Sequence, residues 1–441
     1  MKKEKLTLQQ QLAKRKYKQP NRFLWWFLNR FVIRPFMAPK LHISYDIQDK
    51  IKDCKTGAFL VYNHQSRADY IWLTKAAWPR RLNFVVGYNE FFRSHLYFIA
   101  KLMHFIPKKN FNNDIAAIKA MSTIIKDNGV VCIAPEGMSS ITGHNQPVAL
   151  GTGKLFKHFK VPVYACVSKG GYLYNHKVCL DNRYGKVDTK TYLLFTPEDL
   201  DKLTPEEIEA KLNEALWQDD YVWQQKEHTL WKTNGRIATH LHDICYKCPK
   251  CGTEFEMLGE GDTLICKHCG NGARMNDYYE WEPFEGAKLI DTPSHWVDWE
   301  RKLVYKEIQD ENFEFKEKVK IGKIPTDHLL KEVTSEVCGE GEITINHQGF
   351  FYKGTKDGKD WEFKLDYRVL PTTGMVTTVE FFAVYVDGEF YDIYPERPSA
   401  MKIVLIVEEM HRMHVGAWKN FPWAHTYDED ENSYVVAKDE D

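Results

Sequence analysis

This chain has no membrane-spanning run. Nowhere in its 441 residues is there a stretch of roughly 18–20 consecutive apolar residues, the length needed to cross a bilayer. No secretion signal is expected either: the first twenty residues are polar and basic, without an apolar h-region. With no such signal, the ten cysteines argue for a reducing compartment, where cysteines are core residues, metal ligands or catalysts rather than disulfides. Net charge is nearly absent at −1. There is no long internal repeat. The length excludes one ordinary domain, and two to four are expected, each able to bury a core.

The charge that is present is unevenly placed. Residues 1–40 carry eleven Lys/Arg against one acid, Glu4. Acids crowd the end, at 428–431 and 439–441, and read as a solvated tail. Phe23-Leu-Trp-Trp-Phe-Leu28 and Phe31-Val-Ile33 are short apolar runs broken by Asn29, Arg30 and Arg34. Aromatics flanked by cations suit the water–lipid interface. Residues 22–36 are expected to form a helix lying in one leaflet; the plainer alternative is a helix docked on the protein's own core.

From residue 56 to about 195, short apolar runs alternate with helical patterns. Strands are predicted at 57–63, 82–86, 129–134, 161–167 and 191–195, and helices at 67–78, 90–104, 113–127 and 151–159. That alternation reads as α/β with a largely parallel sheet. Thr204-Pro-Glu-Glu207 opens a further helix, predicted to run to about 226. Another helix follows Thr292-Pro293, to about 308. From 342 the pattern changes to alternating strands: 342–346, 349–352, 361–365, 376–386 and 390–394. A last helix covers 399–413, with apolar residues at 401, 403, 404, 407 and 410. Several antiparallel strands followed by one helix resemble a pleckstrin-homology-like barrel capped at one end.

Two short motifs carry chemistry. His64-Gln-Ser-Arg-Ala-Asp69 follows the first predicted strand, and Pro135-Glu-Gly137 follows the third. If those strands are neighbours, both motifs meet at one edge of the sheet. A hydroxyl is a poor nucleophile until a base takes its proton, and a histidine of near-neutral pKa suits that task. His64 is the candidate base. Asp69 would accept its other ring N–H, fixing the tautomer. Backbone N–H groups at the following helix start would face a developing oxyanion. Each residue also has a bland reading. Ser66-x-x-Asp69 is a capping-box pattern, His64 a hydrogen-bonded loop residue, and Glu136 a turn carboxylate.

Asn63-His-Gln-Ser-Arg-Ala-Asp69 resembles the His-x4-Asp motif of the glycerolipid acyltransferases, the group that includes lysophosphatidate acyltransferase. Ala134-Pro-Glu-Gly-Met-Ser-Ser140 resembles their Phe-Pro-Glu-Gly-Thr-Arg-Ser block, and Val161-Pro-Val-Tyr164 their later Val-Pro strand. Phe105-Ile-Pro-Lys-Lys-Asn110 with Asp114 sits where the second block belongs. The resemblance covers roughly residues 40–230. It implies acyl transfer from a thioester, acyl-CoA or an acyl-carrier protein, to a lipid hydroxyl. It also implies that Glu136 helps bind the acceptor's glycerol portion, with Gly137 allowing close backbone approach. Two positions depart from the family. The phosphate-gripping arginine of its Pro-Glu-Gly block falls on Ser139 here, and that of its second block on Asn110, or on Lys109 if the register slips by one. Lys108, Lys109, Arg67 or Lys154 would substitute as point charges, or form an ordinary solvated basic face. Apolar residues within 91–106 would line an acyl-chain groove or serve as plain core.

Cys248-Pro-Lys-Cys251-Gly and Cys266-Lys-His-Cys269-Gly are two Cys-x2-Cys knuckles, fourteen residues apart. Four thiolates on two tight turns have the reach Zn2+ prefers. The pattern looks like a zinc ribbon holding a closed, structural zinc. Cys245 and His268 lie near but outside the set. Lys247, Lys250 and Lys267 are too few to argue for nucleic acid.

These readings combine into a peripheral membrane protein on the cytoplasmic face of a membrane. It would comprise a basic, aromatic membrane-interface segment at 1–45, an α/β acyltransferase domain at 46–240, a zinc ribbon at 241–283 and a β-rich domain at 284–441. Its expected partners are membrane lipids, with lysophosphatidate the leading acceptor, and an acyl-carrier protein if that is the donor. The alternatives are a glycolipid or aminolipid acceptor, and a lipid-binding scaffold with a vestigial acyltransferase domain. The intact His64, Asp69, Glu136 and Gly137 argue against the scaffold.

Overall fold

The computed structural model describes residues 6–38, 40–112, 114–376, 378–418 and 421–423, and the backbone of 435–437. The acidic stretches at 428–431 and 439–441 lie outside the described residues.

Seven strands form the first sheet: β1 (His42–Ile47), β2 (Ala58–Tyr62), β3 (Leu82–Gly87), β4 (Ile106–Lys108), β5 (Val130–Ile133), β6 (Val163–Lys169) and β7 (Lys186–Phe195). Their order is β1-β7-β6-β2-β5-β3-β4. Every pairing is parallel except β6 with β7. β2 and β5 are buried along their whole length, as expected of central parallel strands with both faces covered. They are direct neighbours, with Ala58 opposite Val130 and Val61 opposite Ile133. The two motifs that follow them therefore leave the same edge of the sheet side by side.

Four predicted helices differ in ways that can be traced to particular contacts. The helix expected over 204–226 is two, Pro205–Leu216 and Asp220–Glu227. Trp217 takes an extended conformation between them, and the Asp219 carboxylate re-caps the second through Tyr221 and Val222 N–H. The helix expected over 90–104 breaks at Arg93, where Ser94 N–H bonds Leu330 O and Leu330 N–H bonds Phe92 O. The 67–78 helix starts only at Tyr70, because Asp69 turns its side chain back toward His64. The N-terminal helix runs from Arg22 to Leu28 and continues as a π-helix, Asn29–Met37. The Asn29 amide bonds the Trp25 carbonyl there, and Pro35 brings no N–H.

The cysteine-rich segment forms a four-stranded antiparallel sheet from Met257–Glu260, Thr263–Cys266, Gly272–Met275 and Trp281–Pro283. The C-terminal part is an antiparallel seven-stranded sheet. Among the described residues its edge strands, Lys359–Leu365 and Gly374–Met375, do not pair with each other. It includes a strand that the pattern did not suggest, Glu314–Lys323. The last helix, Ala400–Val415, does more than cap one end of this sheet. Every residue from Ala400 to His411 is buried, and the helix packs along Pro293–Glu307. One hydrophobic cluster runs without a gap from Trp25 through the first sheet and the cysteine-rich segment to Met410.

Candidate active site

β2 ends on Asn63, which is completely buried. Its amide donates to Ser168 O at 2.7 Å and accepts from Ser168 N–H at 2.7 Å, fastening the strand end to β6. His64 follows. Its backbone N–H donates to Glu136 Oε1 at 2.8 Å, and its carbonyl accepts from Ser140 N–H at 2.7 Å. Both backbone groups of His64 are thus held by the loop after β5.

The ring of His64 has its Nδ1 2.7 Å from Asp69 Oδ2, and its side chain is 28% exposed. An N–H on Nδ1 facing a carboxylate leaves the Nε2 lone pair free as a base. Asp69 is buried and spends its other oxygen on Ser66 N–H at 3.1 Å. Burial raises the Asp69 pKa to about 6, against the opposing pull of His64. The capping-box pattern is present in part, since Asp69 Oδ1 accepts Ser66 N–H and Ser66 Oγ accepts Ala68 N–H, but Asp69 does not serve the chain turn alone: its other oxygen holds His64 Nδ1. The N–H groups of Ser66, Arg67 and Ala68 are occupied, by Asp69, Asn175 O and Ser66 Oγ respectively. Those three are not available to an oxyanion.

Glu136 is 1% exposed. Its second oxygen accepts from Gln146 N–H at 3.1 Å, so both oxygens bind backbone. Burial raises its pKa to about 7 despite these donors. In this structure Glu136 is a strut under the base. Beside it lies a cavity of about 20 Å3, lined by Phe111, Met138, Pro147, Leu150, Pro371 and Trp418. That is room for about one water molecule, not an acyl chain. Gly137 has a φ of +82°, and a Cβ there would sit 3.0 Å from the Phe111 ring. The Asn110 amide donates to its carbonyl.

The candidate cations separate. Arg67 is exposed in the motif loop, where burial of its stem and the nearby Arg93 guanidinium lower its pKa. Glu90 is the carboxylate common to both arginines. Lys108 donates to Lys109 O at 3.2 Å, and burial lowers its pKa. Lys109 donates to Gly388 O in a turn of the C-terminal sheet, with its ammonium over the Tyr88 ring. Lys109 is thus tied to the other half of the molecule. Phe91 and Phe92 are core, packed with Leu8, Leu12, Ile324 and Phe390, whereas Phe98 and Leu102 are exposed. Arg93 and Gln146 belong to the site yet carry no local signal, and Ser140, though it closes the Pro-Glu-Gly block, has no role assigned from sequence. Arg93 is one charge among aromatics, and Gln146 contributes only backbone.

The four knuckle cysteines converge. Cys248 and Cys269 Sγ are 3.7 Å apart, and Cys251 and Cys266 Sγ 3.8 Å. A tetrahedron of Zn–S bonds near 2.3 Å has edges of about 3.8 Å, so the donor set fits zinc. The buried Asn271 amide donates to Cys248 Sγ at 3.5 Å while bracing Lys288, an outer-shell arrangement. His240, His242 and Asp243 also cluster. There His242 Nδ1 accepts the Gly259 N–H at 2.9 Å, so a neutral ring keeps its proton on Nε2, toward Asp243. That cluster is satisfied by its own hydrogen bonds.

Residues 42–169, which hold most of the parallel sheet and the His64–Asp69 pair, match the family model described as Acyltransferase. Among solved structures, the chain is similar to the 1-acyl-sn-glycerophosphate (LPA) acyltransferase PlsC from Thermotoga maritima. The identity is 15% and the TM-score 0.36, over 46% of this chain and 80% of that one. No curated protein matches the chain.

Proposed function

We propose that this protein transfers a fatty acyl group from acyl-CoA or an acyl-carrier protein to the hydroxyl of a lysophospholipid, foremost 1-acylglycerol-3-phosphate, giving phosphatidate and a free thiol. The observation that carries this reading is the His64 ring, partly exposed, with Nδ1 held by buried Asp69 at 2.7 Å. Nε2 takes the hydroxyl proton as the oxygen attacks the thioester carbonyl carbon. The tetrahedral intermediate expels the thiolate, which recovers the proton from the imidazolium. Asp69 stabilises that imidazolium and holds the tautomer. No acyl-enzyme is needed.

Arg67 and Arg93, which sense each other's charge and share Glu90 as a carboxylate neighbour, favour an anionic acceptor. The commitment of Lys109 to Gly388, with Asn110 turned to Gly137, favours the second reading of an acceptor without phosphate. Cys248, Cys251, Cys266 and Cys269 would hold a structural zinc, with no position left for substrate. Phe23, Trp26, Phe27 and Phe31 are exposed and in ring contact with one another. Arg30 lies over Phe31. Among the described residues no helix is long and apolar enough to cross a membrane. The aromatic patch would seat the protein on the cytoplasmic face of a bilayer, beside its lipid acceptor.

The test is to incubate purified protein with acyl-CoA or acyl-carrier protein and a panel of phosphate-bearing and phosphate-free lyso-lipids, following products by mass spectrometry. Turnover should vanish in His64→Ala. Undiminished turnover in that variant refutes the mechanism, and the preferred acceptor decides between the two readings.

A further inference from the structure

The loop from Ser140 to Gln146 links the base to the rest of the molecule. Ser140 N–H holds the His64 carbonyl, and Gln146 N–H holds Glu136, which in turn holds His64 N–H. Gln65 Nε2 donates to Asn145 Oδ1 at 3.1 Å, a third tie from this loop to the motif. Between these ties stands His144, 1% exposed. Its Nε2 is 2.9 Å from Oδ1 of Asp298, itself 5% exposed and 154 residues away in the chain.

The other ring nitrogen, Nδ1, faces Asn145 O at 3.2 Å and Thr142 Oγ1 at 3.3 Å. A carboxylate only accepts, so Nε2 carries a proton toward Asp298; with Nδ1 also facing the Asn145 carbonyl and the pKa of the ring raised, the imidazolium form is favoured. Asp298 and Asp219 favour that charge; burial and Arg301 oppose it. His295, on the Asp298 helix, is a further titratable group that interacts with Asp219 and Asp298. Trp217 stacks on the ring at 5.6 Å. Asp298 lies on the Pro293–Glu307 helix. Three residues on, Arg301 pairs with Glu408 at 2.6 Å and Glu409 at 3.1 Å, on the Ala400–Val415 helix. The Pro293–Glu307 helix thus bridges two sets of buried polar contacts, Arg301 with the last helix and Asp298 with the loop that holds the base.

A buried ion pair contributes little net stability relative to apolar packing, but it is directional and strict about position. From this we infer that His144 and Asp298 are a positioning pair. Through them the two C-terminal helices set the loop that holds His64, and the segment after residue 284 is an obligatory part of the acyl-transfer site. The inference rests on the acyl-transfer reading only for its consequence in turnover; the coupling itself is testable without substrate.

The experiment uses the full chain and two mild variants, Asp298→Asn and His144→Gln, which keep a hydrogen bond and remove the charge. Carbethoxylation of His64 by diethyl pyrocarbonate is read by peptide mass spectrometry, with exposed His328 as internal reference. His64 should react severalfold faster in both variants and His328 unchanged. In turnover, kcat should fall about 10- to 100-fold with KM within about twofold, since small misplacement of a reacting group acts on the chemical step. Native-state hydrogen exchange of the wild type should show residues 140–146 opening together with 293–307 as denaturant rises. Unchanged His64 labelling and kcat in folded variants overturn the inference. If a variant does not fold, exchange of the loop ahead of the helix overturns it equally. Wild-type protein inert toward every acceptor would refute the acyl-transfer reading instead, leaving labelling and exchange to judge the pair.

Discussion

Asp69 illustrates a buried charge kept for function at the expense of stability. Its carboxyl titrates near 6 in the fold, above its ordinary value of 3.8. The folded protein therefore binds that proton more tightly than the unfolded chain, and the residue costs stability as pH rises from about 4 through 6. Charge on Asp69 is nevertheless what orients His64, so turnover should fall as pH drops through about 6. Asp69→Asn should accordingly raise the thermal midpoint at pH 7 and lower kcat on the order of 10^2–10^4-fold. An amide N–H toward Nδ1 selects the other tautomer, with the proton on Nε2, so the free lone pair is lost. Unfolding scans and a pH–rate profile check both halves. Glu136 carries the same burial cost, its pKa being raised to about 7, but its two oxygens also serve two backbone N–H groups. Glu136→Gln offers one acceptor, and should lower unfolding stability by about 1–3 kcal/mol, read as a lower denaturant midpoint at unchanged m-value, together with activity.

At the scale of elements, the aromatic N-terminal helix and the cysteine knuckles each make a separable prediction. Replacing Phe23, Trp26, Phe27 and Phe31 with Ser should abolish binding to vesicles of anionic phospholipid, measured by flotation. The thermal midpoint should hold, because these rings are exposed while Trp25 carries the packing at 3% exposure. Removing metal by chelation, or Cys269→Ser, should lower the thermal midpoint, and metal analysis should find about one zinc per chain. The central strands were legible from sequence, since β2 and β5 are unbroken apolar runs. The Glu314–Lys323 strand was hidden because Glu317 occupies an inward position, where it accepts from Arg397 and Ser399. The break at Trp217 coincides with its stacking on His144, a tertiary contact that leaves no local pattern. His64, Asp69 and the cysteines could be read because their partners are close in sequence. The use of Glu136 as a strut depends on Gln146 and His64 backbone, and the His144–Asp298 contact spans 154 residues. Neither leaves a local pattern.

At the scale of the whole molecule, the question is whether the acyltransferase-type region can stand alone. Residues 42–169 match the family model, yet the buried cluster they share reaches Met410. Lys177 is buried, with its ammonium donating to Met375 O at 2.7 Å. Burial lowers its pKa to about 8. Tyr279 OH donates to Leu173 O at 2.7 Å, and Trp231 N–H to Asp277 O at 2.9 Å. A fragment ending at 240 would leave His144 and Lys177 without these partners and would expose Phe91 and Phe92, which are fully buried in the whole chain. Unpaired buried polar groups and exposed core surface are each costly. The full chain should therefore unfold in one cooperative transition. A 1–240 fragment should form no cooperative unit, seen as a broad, low-enthalpy calorimetric trace. A soluble 1–240 fragment with a sharp transition and full turnover would make the C-terminal half an appendage. The continuity of the core and the path from Glu408 through Arg301 on the Asp298 helix to His144 argue that one half cannot be removed without unseating His64 in the other.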